Sequence, residues 1–207
     1  MLRIVGAQHW QEKFMQRVDL ATTIHKAIRK LLFEQTMLLG RTDFAVESEV
    51  SHALIELERT ISLLREHGEH EDTVVFPELA ASEPELLAEC ERQHASLEHG
   101  FREIEALASA LQAAAATQRQ QAGAHLARRF QSFVAEQLEH MSFEETTVSA
   151  ALWRLLDDQK LAAMRTAIRA RVTPERGPIW AALVMSSANA AELRELGAPP
   201  PALPRSA

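Results

Sequence analysis

The chain has few of the residues that build sheets, turns and cross-links. Among its 207 residues there is no tyrosine, and there are only 7 glycines, 8 prolines and a single cysteine, Cys90. One cysteine excludes an internal disulfide and fits a reducing compartment. No alternating β-branched run occurs, no apolar run approaches the ~18 residues of a transmembrane helix, and the start of the chain is unlike a signal peptide. We therefore expect a helical, soluble, cytoplasmic protein without a membrane partner.

The charge of the chain limits its partners. The formal net charge is −7 at pH 7, and the negative excess lies in residues 1–158. Phosphate contacts require clustered lysine and arginine, so this acidic body excludes a nucleic-acid partner. The basic residues beyond 158 are too sparse to change that conclusion.

Helix-forming residues, arranged with one apolar face, dominate what is present. The chain is 46% apolar, which is enough to bury a substantial core. Periodicity predicts helices at about 16–39, 48–73, 85–113 and 117–157, the third opened by a capping box at Ser82–Glu85. We predict an all-α fold, namely an antiparallel up-down four-helix bundle with extra short C-terminal helices.

Two regions are predicted along the chain. Residues 1–158 form the bundle domain, with residues 1–15 as a lead-in that lies across it. Residues 159–207 form a helical extension that ends in a proline-rich tail. Within the extension, a few apolar residues are suited either to packing on the bundle or to a homodimer contact; these are Trp180, Leu183, Val184 and Met185.

Four histidines and two glutamates form a near-repeat on the predicted helices. His25 precedes a His-x-x-x-Glu pair 42 residues later, and His94 precedes a second pair 46 residues later. Four helical residues turn through about 400°, so each pair lies on one face, one turn apart. His94 and His140 lie equally far from the turn near Thr117, which puts them at one level of a hairpin. The set is His25, His67, Glu71, His94, His140 and Glu144.

This set of side chains has the chemistry of a two-metal site. Imidazole and carboxylate ligands suit first-row metals, and carboxylates on facing helices can bridge two ions. We assign Glu71 and Glu144 as bridges and the four histidines as terminal ligands. Iron fits best, zinc or manganese could occupy the same positions, and the positions left open would accept a small diatomic ligand or peroxide. Burying so many ionisable groups without a metal would be costly.

Four neighbouring residues have two interpretations each. Glu98, four residues after His94, is either a supplementary ligand or gate, or a solvated side chain. Gly68 is either a helix end or a position that leaves room for a close backbone or an open metal position. We expect His70 to be exposed rather than to support a ligand, and Cys90 to pack in the core rather than act in redox chemistry.

The motifs resemble those of the hemerythrin-like (HHE cation-binding) family over about residues 16–158. They are His25 in IHKAIRKLLFE, His67 and Glu71 in HGEHEDTVVFPEL, His94 in ERQHASLE, and His140 with Glu144 in HMSFEETTV. The resemblance implies a four-helix bundle that holds two iron ions in a non-haem di-iron centre. It also implies that an oxo or hydroxo group and two carboxylates bridge those ions.

Two departures from the oxygen-carrying members of that family bear on function. Those members have a fifth histidine where this chain has Glu98, and an aspartate five residues after the last histidine, whereas Glu144 follows His140 by four. The set is closer to iron-sensing members and to proteins that repair iron centres. We expect a non-enzymatic di-iron protein that binds or senses O2, NO, peroxide or iron itself. The alternative is an enzyme-like role in peroxide or NO detoxification or in iron–sulfur repair.

Overall fold

The computed structural model describes residues 17–195, and these form helices without any strand. The long helices are α1 (Thr22–Arg41), α2 (Glu47–His70), α3 (Pro84–Ala113) and α4 (Ala116–Phe143). The shorter ones are α5 (Ser149–Leu155), α6 (Asp158–Arg171), α7 (Gly177–Ser187) and α8 (Ala190–Glu195). Within residues 17–195, no helix has both the length and the apolar character that crossing a membrane requires.

Contacts between neighbouring helices define an antiparallel bundle. His25 of α1 faces His67 of α2, and ten residues further along α1 the amide of Gln35 donates a hydrogen bond to the carbonyl of Ala53, at 3.3 Å. The contacts therefore run in opposite directions on the two helices. The same order relates α2 to α3 and α3 to α4, and α4 packs beside α1 to close the ring. The predicted up-down bundle is confirmed.

Two clusters of buried apolar side chains fill the protein. The larger lies in the body of the bundle, where the ring of Phe133 packs against those of Phe101 and Phe130. The smaller includes Phe76 and Val148 and continues into α5 and α6. Burying each large apolar side chain stabilises the fold by about 1.5–3 kcal/mol. In α3, for example, His94 lies between Cys90 of the smaller cluster and Leu97 of the larger one.

One helix start differs from prediction in its position, and a second differs in its cap. Helix α1 begins at Thr22 rather than near residue 16, because a carboxylate oxygen of Asp19 accepts hydrogen bonds from the first backbone N–H groups at Ala21 and Thr22. Helix α3 begins at Pro84 without a side-chain cap, so the predicted capping box is wrong. Proline has no backbone N–H at this position, which removes one of the groups that a cap would satisfy.

The C-terminal extension packs on the bundle. Trp180 and Leu183 of α7 are buried in the larger cluster, and α7 lies against α1. Glu66 of α2 accepts hydrogen bonds from the indole N–H of Trp180 at 2.9 Å and from the Nε of Arg176 at 2.6 Å. Met185 stays about half exposed. The predicted lead-in and the proline-rich tail lie outside the described residues.

Candidate metal centre

All six predicted ligand residues meet at one level of the bundle. Each of the four long helices supplies one histidine, and the two glutamates follow α2 and α4 directly. Five of the six residues are buried, and His94 is partly exposed. Within each of two groups, one donor atom per residue lies within 4.8 Å of all the others. The groups are His25, His67, Glu71 and Glu144, and Glu71, His94, His140 and Glu144.

The imidazoles are paired through the same ring atom. The Nε2 atoms of His25 and His67 lie 3.2 Å apart, and those of His94 and His140 lie 3.1 Å apart. Glu144 Oε2 lies 3.4 Å from Nε2 of His25 and 3.3 Å from Nε2 of His140, so one carboxylate reaches both pairs. Donor atoms from four helices thus converge on two adjacent points.

Three of the four histidines are held in place through the ring nitrogen that faces away from the centre, Nδ1. In each, Nδ1 lies within hydrogen-bond distance of a side-chain oxygen, and an Nδ1–H donated there leaves Nε2 free to bind a cation. The pairs are His25 with Glu145 at 3.1 Å, His94 with Asp72 at 2.8 Å, and His140 with Gln93 at 2.9 Å. Sequence reasoning missed these partners, although each directly adjoins a predicted ligand in the chain.

The two glutamates carry buried oxygens that have no protein partner. Among the described residues, Glu71 Oε2 and both carboxylate oxygens of Glu144 are buried without a hydrogen bond. Each buried polar group left unsatisfied costs about 1–3 kcal/mol. A cation between the paired imidazoles would satisfy these oxygens, so the donor set fits metal ions.

In the metal-free site, the pKa values of the histidines shift in different directions. Burial lowers the pKa of His25, but Glu145, Glu71 and Glu144 together outweigh it and raise the pKa to about 9. His94 follows the same pattern, since Asp72 helps to overcome burial and its pKa rises to about 10. Burial and the charges of neighbouring histidines lower the pKa of His140 to about 3. Protons on some imidazoles thus supply the positive charge that the carboxylates require.

The pKa values of Glu71 and Glu144 shift in opposite directions, although both carboxylates are buried at the same centre. Burial raises the pKa of Glu144, and the charge of Glu71 adds to that rise. Burial acts on Glu71 too, but His67 and His25 outweigh it and hold the pKa of Glu71 well below its usual range. Bound cations would favour the ionised form of both groups.

A π-helical segment begins at each glutamate. Glu71–Val75 and Glu144–Val148 replace the α-helical turns that the sequence predicts there. A π segment inserts one extra residue into a turn, and such bulges are frequent at functional sites. Helical structure continues through both segments, so the predicted end of helix 4 near residue 157 lies close to Leu155, and the predicted end of helix 2 near residue 73 falls inside the first π segment. Nothing in the spacing of apolar residues distinguishes these turns from ordinary helix.

The structure places the remaining candidates outside the donor groups. Glu98 accepts hydrogen bonds from Arg65 at 3.0 and 3.1 Å, and both side chains are partly exposed to solvent. Gly68 is followed by further helical turns, so it is not a helix end, and an added Cβ would lie 3.6 Å from His94. His70 is buried, so its predicted exposure is wrong, whereas Cys90 packs fully buried in the core as predicted.

A cleft between α2 and α3 leads to the centre. Its volume is about 760 Å³, and its lining includes Gly68, Glu71, His94 and His140. Arg65 and Glu98 also line it. Small molecules can therefore reach the donor group that contains His94 and His140 through this cleft.

The bundle and its donor set define a class of protein, one that holds cations between four helices with imidazole and carboxylate ligands. The family model of the hemerythrin HHE cation-binding domain matches residues 17–169, and the chain belongs to that family. No curated protein and no solved structure gave a significant match. The family and the His/Glu cluster together point to metal-ion binding. The match ends within α6, so α7 and α8 lie beyond it.

Proposed function

We propose that the six residues hold two iron ions bridged by Glu71 and Glu144. The observation that carries this proposal is that the two donor groups share these two carboxylates and no other residue. Each ion would have two terminal imidazoles, from His25 and His67 or from His94 and His140. Both bridging residues carry the unpartnered buried oxygens that a cation would satisfy.

The charge around the centre suits a pair of divalent cations. Glu71 and Glu144 lie within the donor groups, and Glu145 and Asp72 contact imidazoles from behind. Arg29 already pairs with Glu145, so two divalent ions would more than balance the other three carboxylates. The ligand types suit iron, and the same donor set would accept zinc or manganese, because affinity alone does not select the metal.

The proposed activity is binding or sensing of a small ligand such as O2, NO or peroxide, or of iron itself. Four protein donors per ion leave positions free at a six-coordinate metal, and the cleft beside His94 gives access to them. Burial raises the pKa of the Cys90 thiol to about 12, so this side chain is poorly suited to relay electrons to the centre. The chain has no tyrosine that could take that role. We therefore favour a binding role over an enzymatic one.

Metal analysis combined with absorption spectroscopy tests this proposal. Protein from iron-supplemented cells is compared with His67→Ala, Glu144→Ala and the exposed control His99→Ala. We expect two irons per chain and near-ultraviolet charge-transfer absorption, both lost in the first two variants and kept in the control. An iron content that all four proteins share, or that is absent from all of them, would contradict the assignment.

A second measurement separates binding from turnover. Reduced, iron-loaded protein is mixed with NO or O2, with and without an added reductant. A stable spectral change without continued consumption of the ligand supports binding or sensing. Consumption of many equivalents in the presence of reductant would instead establish the enzymatic alternative.

A further inference from the structure

Gly68 is a glycine at a position where neither the backbone nor the helix packing requires one. It lies inside α2, directly after His67, and helical turns continue on both sides of it. Glycine at such a position costs about 1 kcal/mol relative to alanine. Its φ is not in the left-handed region, and the nearest described atom, Cε1 of His94, would lie 3.6 Å from an added Cβ, which is ordinary van der Waals contact. Alanine would therefore fit, and the glycine needs another explanation.

The missing side chain leaves space in the cleft that leads to the metal centre. Gly68 and His94 line this cleft together, and an added Cβ would lie 3.6 and 3.8 Å from Cε1 and Nδ1 of His94. A longer side chain would extend from that point into the space beside the imidazole. Ala95, which is exposed, is a second small residue of the lining. Glu71 also lines the cleft, and its Oε2 is buried without a hydrogen bond to any described residue.

Two contacts between α2 and α3 frame the position of Gly68. On one side, Asp72 lies 2.8 Å from Nδ1 of His94. On the other side, Arg65 donates hydrogen bonds to Glu98 at 3.0 and 3.1 Å. Arg65, Gly68 and Asp72 are spaced by three and four residues and so share one face of the helix. The side chain at position 68 is therefore the one that would fill the interval between the two contacts.

We propose that Gly68 keeps open the passage through which added ligands reach the metal position of His94 and His140, and that the size of the side chain at position 68 limits the size of those ligands. The inference rests on the proposed function for the metal itself, whereas the passage is a property of the metal-free fold. Alanine at this position should narrow the passage slightly, and the longer side chain of leucine should obstruct it.

Thiol labelling of the metal-free protein tests whether the passage is open. The chain has one cysteine, Cys90, which is fully buried and whose pKa burial raises to about 12, so its thiol should not compete. Gly68→Cys is treated in EDTA with iodoacetamide or with iodoacetanilide, which adds a phenyl ring to the same reactive group. Ser96→Cys is the control, because Ser96 is exposed on α3 and lies outside the cleft lining. We expect iodoacetamide to label both variants, and the larger reagent to be slowed about tenfold more at position 68 than at position 96.

Azide binding to the iron-loaded, oxidised protein tests the size limit. Gly68→Leu and Ala95→Leu each add the same side chain to the lining of the cleft, and Ser96→Leu adds it outside. None of these changes alters the charge of the cleft. In stopped-flow absorption measurements, the rate constant for azide binding should fall about tenfold in the first two variants. It should fall less in Gly68→Ala and remain at the wild-type value in Ser96→Leu. Iron content is measured for each protein, so that rates are compared at equal loading.

Three results would overturn the proposal. The first is that iodoacetamide labels Ser96→Cys but not Gly68→Cys, because the passage would then be closed. The second is azide binding at the wild-type rate in both Gly68→Leu and Ala95→Leu. The third is that Ser96→Leu slows azide as much as they do. Protein that takes up no iron while Gly68→Cys is labelled as expected would instead contradict the proposed function and leave the open passage established.

Discussion

The carboxylate of Glu144 faces another hydrogen-bond acceptor, Nε2 of His140. Two acceptors form a favourable contact only when a proton or a cation lies between them. When His140 donates its Nδ1–H to Gln93, its Nε2 becomes an acceptor, and this atom lies 3.3 Å from Glu144 Oε2. Oε2 of Glu144 also lies 3.4 Å from Nε2 of His25, and neither oxygen of Glu144 forms a hydrogen bond within the described part of the chain. As long as Glu144 is ionised, the metal-free protein therefore retains an unfavourable contact at the position where we propose a bridging ligand.

Glu144→Gln should change stability in opposite directions with and without metal. The amide keeps the size of the side chain and can donate a hydrogen bond to Nε2 of His140. Relieving one buried unsatisfied group should stabilise the metal-free protein by about 1–3 kcal/mol. For a chain of this length, that corresponds to a melting temperature higher by about 2–12 °C. In the presence of metal, each tenfold loss of affinity should remove about 1.4 kcal/mol of ligand-induced stabilisation.

Thermal unfolding in EDTA and with added anaerobic Fe(II) measures both effects. Glu58→Gln is the matched control, since Glu58 is exposed and forms no ion pair with the described residues. Its unfolding should follow the wild type under both conditions. The reasoning is refuted if Glu144→Gln melts at or below the wild-type temperature in EDTA, or if Fe(II) stabilises it as much as it stabilises the wild type.

Three other substitutions test how the structure supports the site. Gly123→Ala would drive its Cβ into the Phe44 ring, and this overpacking should cost about 1–3 kcal/mol in urea unfolding. Gly68→Ala is its control, because its Cβ would meet no atom closer than 3.6 Å; it should gain about 1 kcal/mol and keep its metal content. Glu66→Ala removes the partner of Trp180 and should make the α6–α7 connection more sensitive to limited proteolysis, while unchanged cleavage would contradict a role in holding α7.

Sequence spacing was sufficient for the fold and for bringing the six residues together. A helix repeats its face every three to four residues, so His67 with Glu71 and His140 with Glu144 had to project together once the helices formed. Equal distances from a short turn then placed His94 opposite His140. These properties depend on helix geometry alone, which explains why one sequence could specify them.

The details that sequence did not predict depend on tertiary contacts. The π segments change the local hydrogen bonding at Glu71 and Glu144 without any change in apolar spacing, so periodicity cannot detect them. His70 adjoins a ligand on α2 and was expected to be exposed, but it is buried and lines a cavity together with residues of α6 and α7, whose docking the sequence left open. The capping box failed because Pro84 can start a helix without one.

The docking of the extension is connected to the centre through one short stretch of α2. Glu66, which holds Trp180 and Arg176, directly precedes His67 in the chain. A movement of α7 would therefore act directly on the residue next to a proposed ligand.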